Sequence, residues 1–231
     1  MSDDSFMREV EDELRSDKVS DFWKKYKFLV IGGAIAIVIG TAGYRFWDSY
    51  AQKVAGASGD QFLSAIELSN EGKHDEAITQ LEALSKDGAG EYPALAQIRL
   101  AAEYAKKGDP QKAVEAFDAI ANDTSFNETL RKVARLRAGL ILVDHGTYDE
   151  VSDRLQLMSE TGKSFRHSAR EGLGLSAWEA EKYDDALVWF QSIADDQGAP
   201  NGITARAGVM LQLLAGKGFA SAEPTEANQA N

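Results

Sequence analysis

Four stretches of this chain align with one another: GKHDEAITQL (72–81), GDPQKAVEAF (108–117), GTYDEVSDRL (146–155) and EKYDDALVWF (181–190). Each opens on a turn residue, has a small or short residue five positions on, and a large apolar residue nine positions on. Ala77, Ala113, Val151 and Ala186 are separated by 36, 38 and 35 residues, and Leu81, Phe117, Leu155 and Phe190 keep that spacing. Twelve residues before the last three turns stand Ala96, Ala134 and Ala169, with Ala205 in register for a final helix. Gln97, Arg135, Arg170 and Arg206 follow them in turn. A period of this length marks a stack of supersecondary units. Apolar residues recur at helical spacing between the turns, and no segment alternates as a strand would. Two antiparallel helices joined by a tight turn need small residues where they cross and one large apolar residue to reach the next pair. No pair buries its apolar face alone, so the pairs stack into a solenoid. Gly72, Gly108 and Gly146 are expected to make the turns by adopting positive φ. The fold expected is all-α, with about four helix pairs and a C-terminal helix over 203–215.

The pattern resembles the tetratricopeptide repeat. The second unit matches best: Ala101 at the small position of the first helix, Tyr104 at its aromatic position, Gly108 at the turn, Ala113 at the small position of the second helix and Phe117 at its large one. Gly139 and Gly174 take the first-helix small position in the next two units. The match is not complete. The aromatic near the start of each first helix and the terminal proline are absent, Val151 replaces alanine, and the period exceeds the usual 34. In the resembled family the first helices line a concave groove. Carried over position by position, the groove-facing residues are Leu95, Ile98 and Ala102, then Val133, Leu136, Leu140 and Val143, then Leu175 and Trp178. That set is mostly apolar. Either it lines an open groove suited to extended polypeptide, or the C-terminal helix or a tighter superhelix covers it.

Near the N-terminus a different feature governs. Between Lys27 and Arg45 lie the uncharged residues 28–44, which as helix would run roughly 25 Å, near the lower limit for a membrane span. Trp23, Tyr26 and Trp47 flank the run, where amphipathic aromatics suit the two headgroup layers. Lys27 and Arg45 can extend their charges outward. Gly32, Gly33, Gly40 and Gly43 would weaken a soluble helix but are common in membrane helices. A core helix would show a polar edge, and this run has none. A cleaved signal needs a small-residue site close behind its apolar core. Here Arg45-Phe46-Trp47 follows, and Ala55-Gly56-Ala57 lies well downstream. The run reads as a permanent anchor in the bilayer. Arg8, Arg15, Lys18, Lys24, Lys25 and Lys27 precede it, against Arg45 and Lys53 just after it. That asymmetry puts the N-terminus on the cytoplasmic side and the repeats on the other.

The formal net charge of −12 opposes nucleic-acid binding, which requires a basic surface. With no cysteine in the chain, disulfides, thiolate metal sites and cysteine catalysis are excluded. His74, His145 and His167 lack any metal-ligand spacing and read as solvated or capping residues. Asp184-Asp185 opens a helix, where acids complement the dipole. Asp195-Asp196 ends one. Ser176 and Ser192 lack a nucleophile-elbow context, and no phosphate-binding loop is present. No enzyme and no cofactor are expected.

The organisation expected is therefore a charged segment over 1–22, an anchor over 23–47, a juxtamembrane helix or hinge over 48–60 with Gly56 and Gly59 at the hinge, a repeat domain over 61–216 and a disordered tail over 217–231. A charged N-terminus, FWKKYK, a glycine-rich span, Tyr44-Arg45-Phe46-Trp47-Asp48-Ser49 and then repeats resemble the bacterial ancillary subunit family of the SecYEG translocon. The resemblance implies a non-catalytic inner-membrane protein whose periplasmic repeats bind partners. It implies the translocon and a membrane-anchored periplasmic chaperone as partners, and a role in handling unfolded exported polypeptides. Two rival readings are a scaffold for another envelope assembly machine and a regulatory protein acting through residues 1–22. Client identity and oligomeric state stay open.

Overall fold

The computed structural model describes the backbone of residues 3–220 and the side chains from Lys25 onward, Val30 excepted. The described residues form nine α-helices and no strand: α1 (Asp3–Asn70), α2 (His74–Asp87), α3 (Tyr92–Lys107), α4 (Pro110–Asn122), α5 (Glu128–His145), α6 (Tyr148–Leu155), α7 (Arg166–Glu179), α8 (Tyr183–Ala194) and α9 (Asn201–Gly216). A single 3-10 turn, Gln156–Met158, follows α6. By compactness the chain divides into two units, Met1–Gly56 and Ala57–Asn231.

In the first unit α1 carries the apolar run, long and apolar enough to cross a membrane, with a mean hydropathy of 1.7 over its best window and none of that window buried. Phe28, Leu29, Ile37, Val38 and Ile39 all point outward. By length and composition this stretch is a candidate membrane span. Of the flanking residues, Tyr26, Arg45 and Trp47 are exposed and Lys27 is half-buried, its ammonium 5.1 Å from the Phe28 ring centroid. The Trp23 side chain and the side chains of residues 1–22 lie outside the described residues.

The second unit is the solenoid, with each helix packed on its sequence neighbours. Residues 57–70 of α1 form the first helix of the first pair, followed by α3/α4, α5/α6 and α7/α8, with α9 closing the stack. The crossings are where the sequence puts small residues. Ala77, Ala113, Val151 and Ala186 are fully buried, as are Leu81 and Leu155, and Phe117 and Phe190 nearly so. A Cβ on Gly139 would stand 2.5 Å from Leu155 Cδ2, and one on Gly174 would stand 2.8 Å from Phe190 Cζ. Only a missing side chain lets the large residue of the second helix seat over the first helix. Ala65, seven residues before Gly72 just as Ala101 is seven before Gly108, fills the same position in the first pair and is fully buried. Gly59 lies within α1 and is also a packing site, since a Cβ there would meet Tyr92 Oη at 2.7 Å.

The turns differ from expectation. Gly72 and Gly108 do adopt positive φ, 79° and 86°. Gly146 does not. Its φ is −129°, and its small size matters because a Cβ would come within 2.7 Å of Leu142 Cδ2. The fourth turn places Glu181 at φ 59°, a left-handed position that disfavours a side chain. Prolines mark helix starts, with Pro93 and Pro110 in first turns and Pro200 as N-cap of α9. Thr147 and Glu150 form a reciprocal capping box on α6, satisfying two orphan amides. Ala205, expected in register for a buried crossing, is exposed; Ala207 and Leu214 are the buried residues of α9. Among the described residues no further pair stacks on α9 to take up that register. The packed domain extends past 216: Phe219 stacks 5.2 Å from the Tyr183 ring, and Lys217 lies over the Trp178 and Tyr183 rings at 5.4 and 4.7 Å. Residues 221–231 lie outside the described residues.

Gly174→Val is expected to lower stability by about 1–3 kcal/mol through overpacking, read as a reduced midpoint in denaturant unfolding of the detergent-solubilised chain. Glu181→Gly should raise it by about 0.5–1 kcal/mol by relieving the left-handed turn.

Candidate functional site

Helices α3 and α5 run side by side with α4 behind them, and their front faces enclose a groove of about 730 Å3. Phe117 from α4 forms the floor, Ile98 and Ala102 one wall, Val133, Leu140 and Ile141 the other, and Phe62 closes one end. Leu95 stands at the rim, 44% exposed. Arg99, Lys106, Arg137, Asp144 and His145 supply a polar edge. An apolar floor with a few polar groups at the margin is the usual build of a binding groove.

Of the residues singled out from the sequence, Leu95, Ile98, Ala102, Val133 and Leu140 come together in this groove. Leu136 is buried in the core of the second and third pairs, and Val143 packs against that core. At Val143 the cause is the approach of α7, where Gly172 brings its backbone so close that a Cβ would lie 3.7 Å from Val143 Cγ2, and 3.1 Å from Leu140 Cδ2 at the groove's edge. Leu175 and Trp178 pack with α8 and α9 in the terminal cluster, beside Phe190, Ile193 and Leu214. The last pair is covered, and no α9 residue lines the groove of the second and third pairs. The sequence reading missed Phe62, although it lies ten residues before its turn glycine as Ile98 does. It also missed Ile141 and the rim residues.

The wall formed by α3 is fixed from behind by a buried carboxylate. Glu103 is fully buried. It accepts from Ser69 Oγ at 2.8 Å, and its Oε1 lies 2.5 Å from His74 Nδ1. A carboxylate can only accept, so His74 carries a proton on Nδ1. Ser69 Oγ in turn accepts from Arg99 Nη2 and Lys106 Nζ at 2.9 and 3.0 Å. Burial alone pushes the Glu103 carboxyl up, but hydrogen bonds from His74 and Ser69 and the charges of Lys106 and Arg99 outweigh it and hold the group below its ordinary value of 4.5. Tyr104, at the repeat's aromatic position, donates to Glu82 Oε1 at 2.9 Å and ties α3 to α2.

A second polar cluster lies at the far end. Asp196 accepts from Arg166 Nε at 2.7 Å and Arg170 Nη1 at 3.1 Å, with His167 Nε2 at 2.9 Å. The Arg166 hydrogen bonds, helped by the Gly198 N–H and His167 against the effect of burial, hold the Asp196 carboxyl well below the usual carboxylate range. Arg170, nearly buried, also donates from Nε to the Ser159 carbonyl and from Nη1 to the Ser192 carbonyl, both at 2.9 Å. Two of the three histidines, expected to be solvated or capping, are therefore partners of carboxylates: His74 of Glu103 and His167 of Asp196. Asp184 and Asp185 occupy the first turn of α8, the structural place expected.

The profile of the tetratricopeptide repeat-like domain matches residues 20–215. The chain is 27% identical over 169 residues to the ancillary SecYEG translocon subunit of Escherichia coli (strain K12), an alignment covering 72% of this chain and 74% of that protein.

Glu103→Gln keeps the shape but leaves Arg99 and Lys106 without a counter-charge, and is expected to cost about 3 kcal/mol at neutral pH. Because the folded carboxyl titrates below its unfolded value, its contribution is complete above about pH 4.5 and is lost as pH falls through the folded value. Denaturant unfolding at pH 7 and near pH 3 checks this: the gap between wild type and variant should narrow at the acid end. The helix pairs, the crossings and the matched span together place this chain in the tetratricopeptide repeat-like domain family.

Proposed function

We propose that this chain is a non-catalytic, single-span inner-membrane protein whose periplasmic repeats hold partner polypeptides at the SecYEG translocon. The observation that carries this reading is the apolar groove of the second and third pairs, which brings Ile98, Ala102, Val133 and Leu140 around Phe117 and is not lined by α9. Its size and polar margin suit an extended apolar segment, the form in which an exported chain emerges. The ancillary translocon subunit of Escherichia coli, related over most of both chains, supports the translocon as the setting. A membrane-anchored periplasmic chaperone and unfolded exported polypeptides are the partners this reading assigns. The anchor, residues 28–44, would concentrate the groove where such chains appear, which raises effective concentration without new contacts. The lysine and arginine excess before the span supports a cytoplasmic N-terminus.

Photo-crosslinking residues placed at Ile98 and at Leu140 in intact cells should give adducts with translocon subunits, the chaperone or nascent exported chains, and one at Leu175 should give none. Absence of adducts at both groove positions, in a folded and anchored protein, would overturn the groove. Adducts confined to another envelope complex would keep the groove and remove the translocon. Orientation has its own test, since the chain has no native cysteine. Lys86→Cys should react with a membrane-impermeant maleimide in spheroplasts, and Ser16→Cys only after permeabilisation. The reverse pattern would invert the topology.

A further inference from the structure

α5 carries a second concavity on its opposite side. At 100° per residue, Val133, Arg137, Leu140 and Ile141 occupy one face of α5, and Arg131, Lys132 and Arg135 occupy the other. The short α6 and the turns over 159–165 leave a pocket of about 320 Å3 above this second face. Lys163 reaches in from those turns, and Ala121, Met158 and Phe165 supply apolar surface. Leu157 stands at the edge, 69% exposed.

The charges here run against the chain as a whole. Four cations line the pocket with a single acid, Glu128, in a protein of net charge −12. Glu128 is engaged by Lys132 at 2.6 Å, and Lys163 has Glu160 at 3.6 Å. Among the described residues Arg135 has only Asn122 Oδ1, at 3.4 Å. Arg131 makes no hydrogen bond or ion pair among the described residues, and its Nε is both shielded from solvent and without an acceptor. A shielded donor with no partner is costly, and a guanidinium fork is matched best by a carboxylate that takes two of its N–H groups.

We propose that this pocket is a second docking site, separate from the groove, for an acidic segment of a partner polypeptide. A carboxylate of the segment pairs with Arg131 and Arg135, and a neighbouring apolar side chain lies on Leu157, Met158 and Phe165. The volume admits side chains and not a folded domain. An anionic bilayer or a nucleic acid, each an extended array of charge, is repelled by the net charge of the chain. A short segment with few carboxylates meets that repulsion least.

The test uses the full chain in neutral detergent and a fluorescent peptide in which Asp and Glu alternate with Leu and Phe. A matched peptide with Asn and Gln in place of the acids is the control. The acidic peptide is expected to bind, more weakly as salt rises, and at least about tenfold more tightly than its amide twin. Arg131→Ala and Arg135→Ala should each weaken it by about tenfold, with unfolding midpoints measured alongside to exclude loss of fold. Lys86→Ala, a distant cation, should leave it unchanged. Leu140→Asp, which disables the groove, should leave it unchanged too, so that failure of one site is separable from failure of the other. Equal binding by the Arg131→Ala/Arg135→Ala double variant, equal binding of the amide peptide, or binding only to phosphatidylglycerol vesicles would overturn the proposal.

Discussion

The solenoid depends on one kind of contact, a large side chain of a second helix seated on the bare backbone of the first. Phe190 lies on Gly174 and Leu155 on Gly139, at distances that leave no room for a Cβ. In the first two pairs, Ala65 and Ala101 are as small as an alanine allows and are fully buried. These approaches set how near the two helices of a pair lie, and hence how the next pair must tilt to meet them. The groove follows from the same spacing. Close helices within a pair push Phe117 forward between α3 and α5, where it forms the floor. The proposed binding surface is thus a by-product of crossings that the sequence enforces with residue size.

α5 shows how one helix serves two surfaces. Its apolar face, with Val133, Leu140 and Ile141, opens to the groove, and its cationic face opens to the pocket beneath the 159–165 turns. Buried between them, Ala134, Leu136, Ala138 and Leu142 hold the helix in the core. The pocket exists because α6 is only eight residues long and ends in a 3-10 turn. A longer second helix in the third pair would occupy that space. Its cations also act on the one acid inside: the hydrogen bond from Lys132, then the charges of Lys132, Arg131 and Lys163, hold Glu128 below its ordinary value.

Much of this was legible in the sequence, because residue size and period are local properties. The turns, the buried Ala77, Ala113, Val151 and Ala186, and the large residues four positions on were all readable from spacing. Ala65 and Phe62 were readable by the same rule, had the register been extended back through the first turn glycine. Which candidate positions remain open was not readable. Leu136, Val143, Leu175 and Trp178 share the repeat register of groove residues, but Leu136 is taken into the core, Val143 lies against α7, and Leu175 and Trp178 pack with α8 and α9. That covering depends on Gly172 admitting α7 and on the terminal packing of Phe219, which are relations between pairs and not within one. The Glu103 network was invisible for a similar reason. Its partners Ser69 and His74 are 34 and 29 residues away, and nothing in a lone glutamate signals that it will be buried. Gly146 illustrates the limit of reading by residue type: the glycine was found, but its reason is contact with Leu142 and not a positive φ.

Glu103, fully buried, and Asp196, half-buried, each join neighbouring helices through directed hydrogen bonds, and half-buried Asp118 does the same with Arg154 between α4 and α6. Glu103 ties α3 to residue 69 of α1 and to the start of α2, while Asp196 ties the start of α7 to the loop before α9. Repeat arrays open locally, pair by pair, because each pair contacts only its neighbours. Apolar contacts tolerate small slippage. A carboxylate held by directed donors does not, and at Glu103 a displacement would strand a buried charge. Such locks fix register at the first and last pairs, and the Asp118–Arg154 pair fixes it between the second and third. Between Glu103 and Asp196 lies the proposed groove, with Ile98, Leu140 and Phe117 in its lining. A groove that adapts between fixed ends is suited to apolar segments of varied sequence, because its affinity comes from area and shape while its walls keep their spacing.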